Sequence, residues 1–171
     1  MAGKVVYIIG FMGSGKSTAG KKLASLLGWN FIDLDKSIET SAGKSIADIF
    51  ASEGEESFRK TEAHFLRNLP GSGNTVISTG GGTPCHGDNM NYMLQTGVAV
   101  YLKLTPEQLR SRLSVADGTR PLLKNLTPAE LLSFIENKLD ERTPFYEKAT
   151  IICDGFNLDI NNLITSIKSI S

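Results

Sequence analysis

Val5-Val6-Tyr7-Ile8-Ile9-Gly10-Phe11-Met12-Gly13-Ser14-Gly15-Lys16-Ser17-Thr18 is the stretch on which the reading of the whole chain turns. Its first five residues are an unbroken apolar run rich in β-branched side chains, the pattern of a strand covered on both faces. The remainder contains G-x-x-x-x-G-K-[ST]. Beyond it Ala19, Leu23, Leu26 and Leu27 recur at helical spacing, with Gly28 as a C-terminal stop. A buried strand, a glycine loop and a helix, in that order, form the context the motif requires. Glycines let backbone N–H groups turn inward around phosphate oxygens, and the helix N-terminus adds partial positive charge. Gly13, Ser14, Gly15, Lys16, Ser17 and Thr18 are therefore candidates for holding the phosphates of a nucleoside triphosphate. Lys16 would lie on the β- and γ-phosphates and the Ser17 hydroxyl on Mg²⁺. A glycine-rich turn with no ligand would not require the Lys-Ser pair.

Outward from this loop, short apolar runs alternate with helical patterns. Phe31-Ile32 reads as a second strand ending at Asp33-Leu34-Asp35. Ile46, Ile49 and Phe50 share one helical face, and Phe58, Phe65, Leu66 and Leu69 share another. Thr75–Ser78 is a third strand, stopped by Gly80-Gly81-Gly82, and Val98–Leu102 a fourth. Thr105-Pro106 and Thr127-Pro128 each open a helix, with a capping hydroxyl followed by proline at the first helical position. Thr150–Cys153 is a fifth strand, and the tail from Leu158 to Ile170 is helical. Such alternation implies parallel crossovers: a three-layer α/β/α fold around a five-stranded parallel sheet, in one domain spanning residues 1–171.

Composition agrees with a globular chain and excludes some partners. In 171 residues, 40% are hydrophobic and 21% charged, enough apolar material for a self-sufficient core. Lys plus Arg equals Asp plus Glu at 18 each, so no basic excess points to a nucleic acid or a membrane surface. No apolar run approaches the roughly 20 residues of a bilayer span. The two cysteines, Cys85 and Cys153, make neither a metal signature nor a disulfide framework. A cytoplasmic protein is expected, and nothing demands more than a monomer.

Several further groups suit phosphoryl transfer. Asp33 and Asp35, two apart at the end of a strand, can face one side of the sheet at its ligand-binding edge. Alternatively they are solvated carboxylates capping the next helix. Arg59, in Phe58-Arg59-Lys60-Thr61-Glu62, taken alone reads as a surface cation. Gly80, Gly81 and Gly82 permit close backbone approach to a ligand, or form a flexible turn. The polar segment 114–125 carries Arg120-Pro121-Leu122-Leu123 and reads as a lid, its arginine placed to neutralise charge developing on the phosphates. Arg142, with Tyr146, offers a second anion contact. Asn137-Lys138-Leu139-Asp140 spells the guanine-reading N-K-x-D pattern. It lies within the helical repeat of Leu131, Leu132, Ile135 and Leu139 rather than after a strand, which excludes a GTPase reading.

Taken in order, the Walker A loop, Asp-x-Asp, Phe-Arg, Gly-Gly-Gly, Arg-Pro-Leu-Leu and Arg-x-x-x-Tyr resemble the shikimate kinases, from Val5 to about Cys153. The resemblance implies a nucleoside-monophosphate-kinase-like P-loop enzyme with ATP and shikimate as partners and Mg²⁺ as cofactor. It implies that Gly13 to Thr18 hold the ATP phosphates, with Ser17 and, through water, Asp33 at the metal. Asp35 would be the base, while Arg59 and Arg142 would grip the substrate carboxylate. Gly81, within the glycine triplet, would bind substrate through its backbone, and Arg120 would be the lid arginine on ATP. Lys16, Asp35 and Arg120 are then the catalytic set. Residues 36–61 would form the substrate-binding module and 114–125 the lid. Members of the family that carry a further arginine near the adenine differ from this chain, which reads Asp154-Gly155-Phe156-Asn157; adenine contacts there, and any role of Arg112, stay unassigned. The rival readings are a gluconate or nucleoside monophosphate kinase of the same build, or a nucleotide-binding sensor without catalysis.

Overall fold

The computed structural model describes residues 3–69, 73–115 and 123–170. Its strands are β1 (Val5–Ile9), β2 (Asn30–Asp33), β3 (Thr75–Ser78), β4 (Val98–Lys103) and β5 (Ile151–Asp154). They form one sheet in the order β2-β3-β1-β4-β5, with every adjacent pair parallel. The helices are α1 (Lys16–Leu27), α2 (Leu34–Ala42), α3 (Ile46–Arg67), α4 (Asn89–Thr96), α5 (Pro106–Val115), α6 (Pro128–Tyr146) and α7 (Ile160–Ser169).

The period-two alternation of β1 divides the interior. Val6 and Ile8 pack with Leu23 and Ala24 of α1 and Leu163 and Ile167 of α7. Tyr7 and Ile9 face the opposite side, against residues of α2 to α6 such as Leu34, Phe58, Met93, Leu109 and Ile135. All four of these β1 residues are 2% exposed or less, which is why the strand reads as continuously apolar rather than alternating. The expected three-layer architecture and five-stranded parallel sheet are therefore present.

Local chemistry sets the helix starts. Thr127 and Glu130 form a reciprocal capping box at α6 with Pro128 just inside, and Thr105 pairs with Gln108 in the same way at α5. One expectation is corrected here. The second strand stops at Asp33, and α2 begins at once without a turn, because Asp33 itself caps the helix through Lys36 N–H (3.1 Å). Asp35 thus sits in the first turn of α2, not on the strand. The two helical faces read between Ile46 and Leu69 lie on either side of a break within α3 at Gly54, whose backbone is not helical (φ 83°, ψ 167°). The N-K-x-D stretch lies inside α6, as its helical spacing requires. Arg120 and residues 116–122 of the expected lid lie outside the described residues.

Candidate active site

The site lies along the carboxyl ends of β1, β2 and β3, the edge at which open parallel sheets bind ligands. β1 runs into the glycine loop, and Gly15 caps α1 in the left-handed region (φ 90°), a conformation that costs a residue with a Cβ. The Ser14 N–H donates to the Phe11 carbonyl (3.1 Å), closing the loop, and the buried Ser14 Oγ has no partner among the described residues. Lys16, first residue of α1, folds back so that Nζ donates to the same Phe11 carbonyl (2.9 Å). Ser17 Oγ donates to Asp33 Oδ2 (2.8 Å) and lies 3.3 Å from Ser78 Oγ. Thr18 is exposed one position further along the helix.

Asp33 therefore holds two positions together. One oxygen caps α2 and the other reaches the Ser17 hydroxyl, so the helix cap also brings this carboxylate to the glycine loop. Hydroxyl and carboxylate oxygens side by side at a phosphate loop suit a hard cation that keeps several waters, as Mg²⁺ does. No cluster of three or more His, Cys, Asp or Glu able to hold a metal alone occurs among the described residues. Such a site would be completed by the nucleotide.

Asp35 is the most perturbed carboxyl of the site. Burial pushes its pKa up to about 6, the nearby Glu62 carboxylate adds to the rise, and Lys16 opposes it. A carboxylate poised there is ionised near neutrality yet basic enough to take a proton. Turnover is accordingly expected to fall as the pH drops through about 6, because protonation removes the acceptor. A pH–rate profile of kcat/KM flat down to about pH 4.5 would contradict a requirement for ionised Asp35.

The glycine triplet explains itself against three side chains. A methyl group at Gly80 would stand 2.9 Å from Asp35 Oδ1, one at Gly81 3.0 Å from Arg142 Nη1, and one at Gly82 2.6 Å from Arg59 Nη2. Each glycine leaves room for a different functional group, so the three converge around a single turn. This is a close-approach surface rather than a flexible connection.

Arg59 is not the surface cation it resembles in isolation. Its side chain is 17% exposed, bonds to Glu62 (2.9 Å), lies 3.5 Å from Glu55 and packs over the Phe58 ring. Arg142 lies over the Phe11 ring, and the Tyr146 hydroxyl donates to the Gly81 carbonyl. Tyr146 is fully buried, which drives its pKa upward and keeps the phenol protonated as a donor. It therefore steadies the turn rather than binding an anion directly. Arg59 Nε and Arg142 Nη1 are buried without a hydrogen-bond partner among the described residues. Buried guanidinium N–H groups without a partner call for an acceptor, and a carboxylate is the one that matches their geometry.

Two site residues escape sequence reasoning. Glu62 is 1% exposed, and its signal was present: residues 58, 62 and 66 recur every four along the buried face of α3, so a glutamate among them must be paired. Arg112 of α5 donates to the Ser14 carbonyl (3.0 Å) and the Gly155 carbonyl (3.1 Å), and lies over the Phe156 ring. It braces the phosphate loop against the turn after β5. Nothing in its sequence surroundings announces that role. His64 is exposed, and Trp29 packs on the core face containing α1 and α7.

A strand, glycine loop and helix at the carboxyl edge of a five-stranded parallel sheet, with Asp33, Asp35, Arg59 and Arg142 gathered along that edge, form the architecture of the P-loop kinases. The family profile described as shikimate kinase matches residues 12–169. A shikimate kinase of Parabacteroides distasonis is 44% identical, covering 96% of this chain and 99% of its own length. The crystal structure of shikimate kinase from Bacteroides thetaiotaomicron superposes with a TM-score of 0.90 at 37% identity, over 98% of this chain and 97% of that one. Shikimate kinase from Acinetobacter baumannii, crystallised with shikimate, gives a TM-score of 0.82 at 34% identity over 98% and 92%. The chain belongs to the shikimate kinase family.

Proposed function

We propose that the chain transfers the γ-phosphate of ATP to the 3-hydroxyl of shikimate, giving ADP and shikimate 3-phosphate on the route to chorismate and the aromatic amino acids. The observation that carries this reading is the convergence of Arg59, Arg142 and Asp35 on the Gly80–Gly82 turn, with Arg59 Nε and Arg142 Nη1 buried and without a partner among the described residues. Shikimate offers one carboxylate and three hydroxyls, and two arginines beside a basic carboxylate complement it.

In this reading Gly13 to Thr18 hold the ATP phosphates, Lys16 lies against the β- and γ-phosphoryl oxygens, and Arg120 is assigned to ATP by its motif alone. Ser17 and Asp33 would hold Mg²⁺, which would supply charge neutralisation on the phosphates. Arg59 and Arg142 bind the shikimate carboxylate, with Gly80, Gly81 and Gly82 against the ring. Asp35 takes the proton of the attacking hydroxyl as its oxygen bonds to the γ-phosphorus and ADP departs. Segment 36–61, comprising most of α2 and α3 as far as Thr61, is the acceptor-binding module, and 114–125 the lid. ATP and shikimate are the partners of a single-domain cytoplasmic monomer that needs neither nucleic acid nor membrane. Among the described residues no helix is long and apolar enough to cross a membrane.

Arg59→Ala is expected to raise the KM for shikimate at least about tenfold while leaving the KM for ATP within about twofold. The methyl ester of shikimate, which lacks the anion, should respond much less. Equal loss with acid and ester would remove Arg59 from carboxylate binding.

A further inference from the structure

Behind the acceptor half of the site runs a buried polar chain to which the transfer chemistry assigns no part. Glu62 is 1% exposed, Thr83 0% and Asn89 1%. Thr83 opens the short 3-10 turn Thr83–Cys85 that follows the glycine triplet. Its N–H donates to the Gly80 carbonyl (3.2 Å), its hydroxyl donates to Glu62 Oε2 (2.8 Å), and its carbonyl accepts from Asn89 Nδ2 (3.0 Å). Glu62 Oε1 takes the Arg59 guanidinium (2.9 Å). Asn89 Oδ1 accepts from Arg67 Nη1 (2.8 Å), and Arg67 is braced by the Ala63 carbonyl (3.1 Å) and the face of Tyr92.

Every polar group of Thr83 is thus paired, in a place where valine would occupy the same volume without any polar obligation. A buried hydroxyl whose partner is a buried carboxylate is retained only if that bond is made, since leaving either group unpaired is costly. Glu62 needs one donor for each oxygen, and Arg59 and Thr83 supply them. The position of this hydroxyl matters as well. A methyl group at Gly80 would lie 3.1 Å from Thr83 Oγ1 and 2.9 Å from Asp35 Oδ1, so both groups bear on that one glycine. The Cys85 N–H donates to the Gly82 carbonyl (3.0 Å), completing the turn against the glycine that faces Arg59.

We propose that Thr83 is a positioning residue for the acceptor. Through its hydroxyl on Glu62 and its N–H on Gly80, it sets Arg59 and the glycine turn in one register with Asp35. Asn89 and Arg67 hold its carbonyl from behind. The inference rests on the reading that the acceptor carboxylate binds Arg59. It assigns acceptor affinity to a residue that acts only through others, so its loss should leave the nucleotide half of the site intact.

The experiment is steady-state kinetics of Thr83→Val, Thr83→Ser and Asn89→Ala beside the unaltered chain, varying shikimate and ATP separately. Valine keeps the shape and removes the hydroxyl. It should raise the KM for shikimate about tenfold with the KM for ATP within about twofold, and serine should restore most of the loss. Asn89→Ala should raise the shikimate KM about threefold, and it decides the matter if the valine variant does not fold. A shikimate KM unchanged in the valine variant overturns the proposal. So does a parallel loss of both affinities that serine fails to rescue, which would mark a general packing role. No turnover of shikimate by the unaltered chain would instead sink the substrate assignment.

Discussion

Lys16→Ala is expected to lower kcat/KM for phosphoryl transfer by about a thousandfold or more, the largest single loss of any substitution in the site. Transfer of a phosphoryl group asks little covalent chemistry of the protein, so positioning and charge neutralisation supply most of the rate. Lys16 is the cation of the loop itself. It stands at the first position of α1, with Nζ bent back to the Phe11 carbonyl across the concavity formed by Gly13 and Gly15. Alanine there removes the charge while favouring the helix, so the fold should survive. Parallel kinetics and far-UV circular dichroism test this. Turnover within about tenfold of the unaltered chain would show that Lys16 does not stabilise the transferring group.

Asp35→Asn is expected to cut kcat by about a hundredfold to ten-thousandfold while leaving the KM for ATP nearly unchanged, because it removes the proton acceptor without touching the phosphate loop. The same substitution should stabilise the fold. The Asp35 carboxyl is raised from 3.8 to about 6 by burial first and Glu62 second. A carboxylate whose folded value lies above its unfolded one weakens the fold when ionised. The penalty is absent below about pH 4, grows as the pH rises through 6, and is complete near pH 7. The displacement corresponds to at most ~3 kcal/mol, and solvent screening reduces this to about 1–2 kcal/mol. Near pH 7 the asparagine variant should therefore melt roughly 3–6 °C higher, and the gain should vanish towards pH 4. A dead variant that melts lower at neutral pH would place Asp35 in the structural framework rather than in the chemistry. Near-normal turnover would remove it from proton transfer.

These two residues also show how far the sequence alone carries. The environment of Lys16 was legible in full, because strand, glycine loop and helix are consecutive and each local signal agrees with the next. The strand geometry read for Asp35 does not hold. Its spacing from Asp33 suggested one face of a strand, whereas the chain turns into α2 at Asp33 and brings both carboxylates to the site by capping geometry. No glycine or proline marks that change, so periodicity could not place it. Arg59 read singly as an ordinary surface cation and Arg142 as an anion contact, and the two acquired a shared role only as members of an ordered set of motifs. What periodicity misses altogether is contact across long sequence separations. Glu62 to Thr83, Arg112 to Ser14 and Tyr146 to Gly81 all join residues that no local pattern relates. The packing of α3, α5 and α6 on the sheet edge creates those contacts. The glycine triplet is a mixed case, since its need for close approach was plain while its three partners were not.

Phosphorylation of shikimate by this chain is tested by ADP release with Mg²⁺-ATP. Shikimate should be compared with gluconate, a panel of nucleoside monophosphates and no acceptor. Shikimate should stimulate release well above the acceptor-free rate, and the others should not. Stimulation by gluconate or a nucleoside monophosphate in place of shikimate would contradict the assignment, as would ATP binding with no turnover on any acceptor.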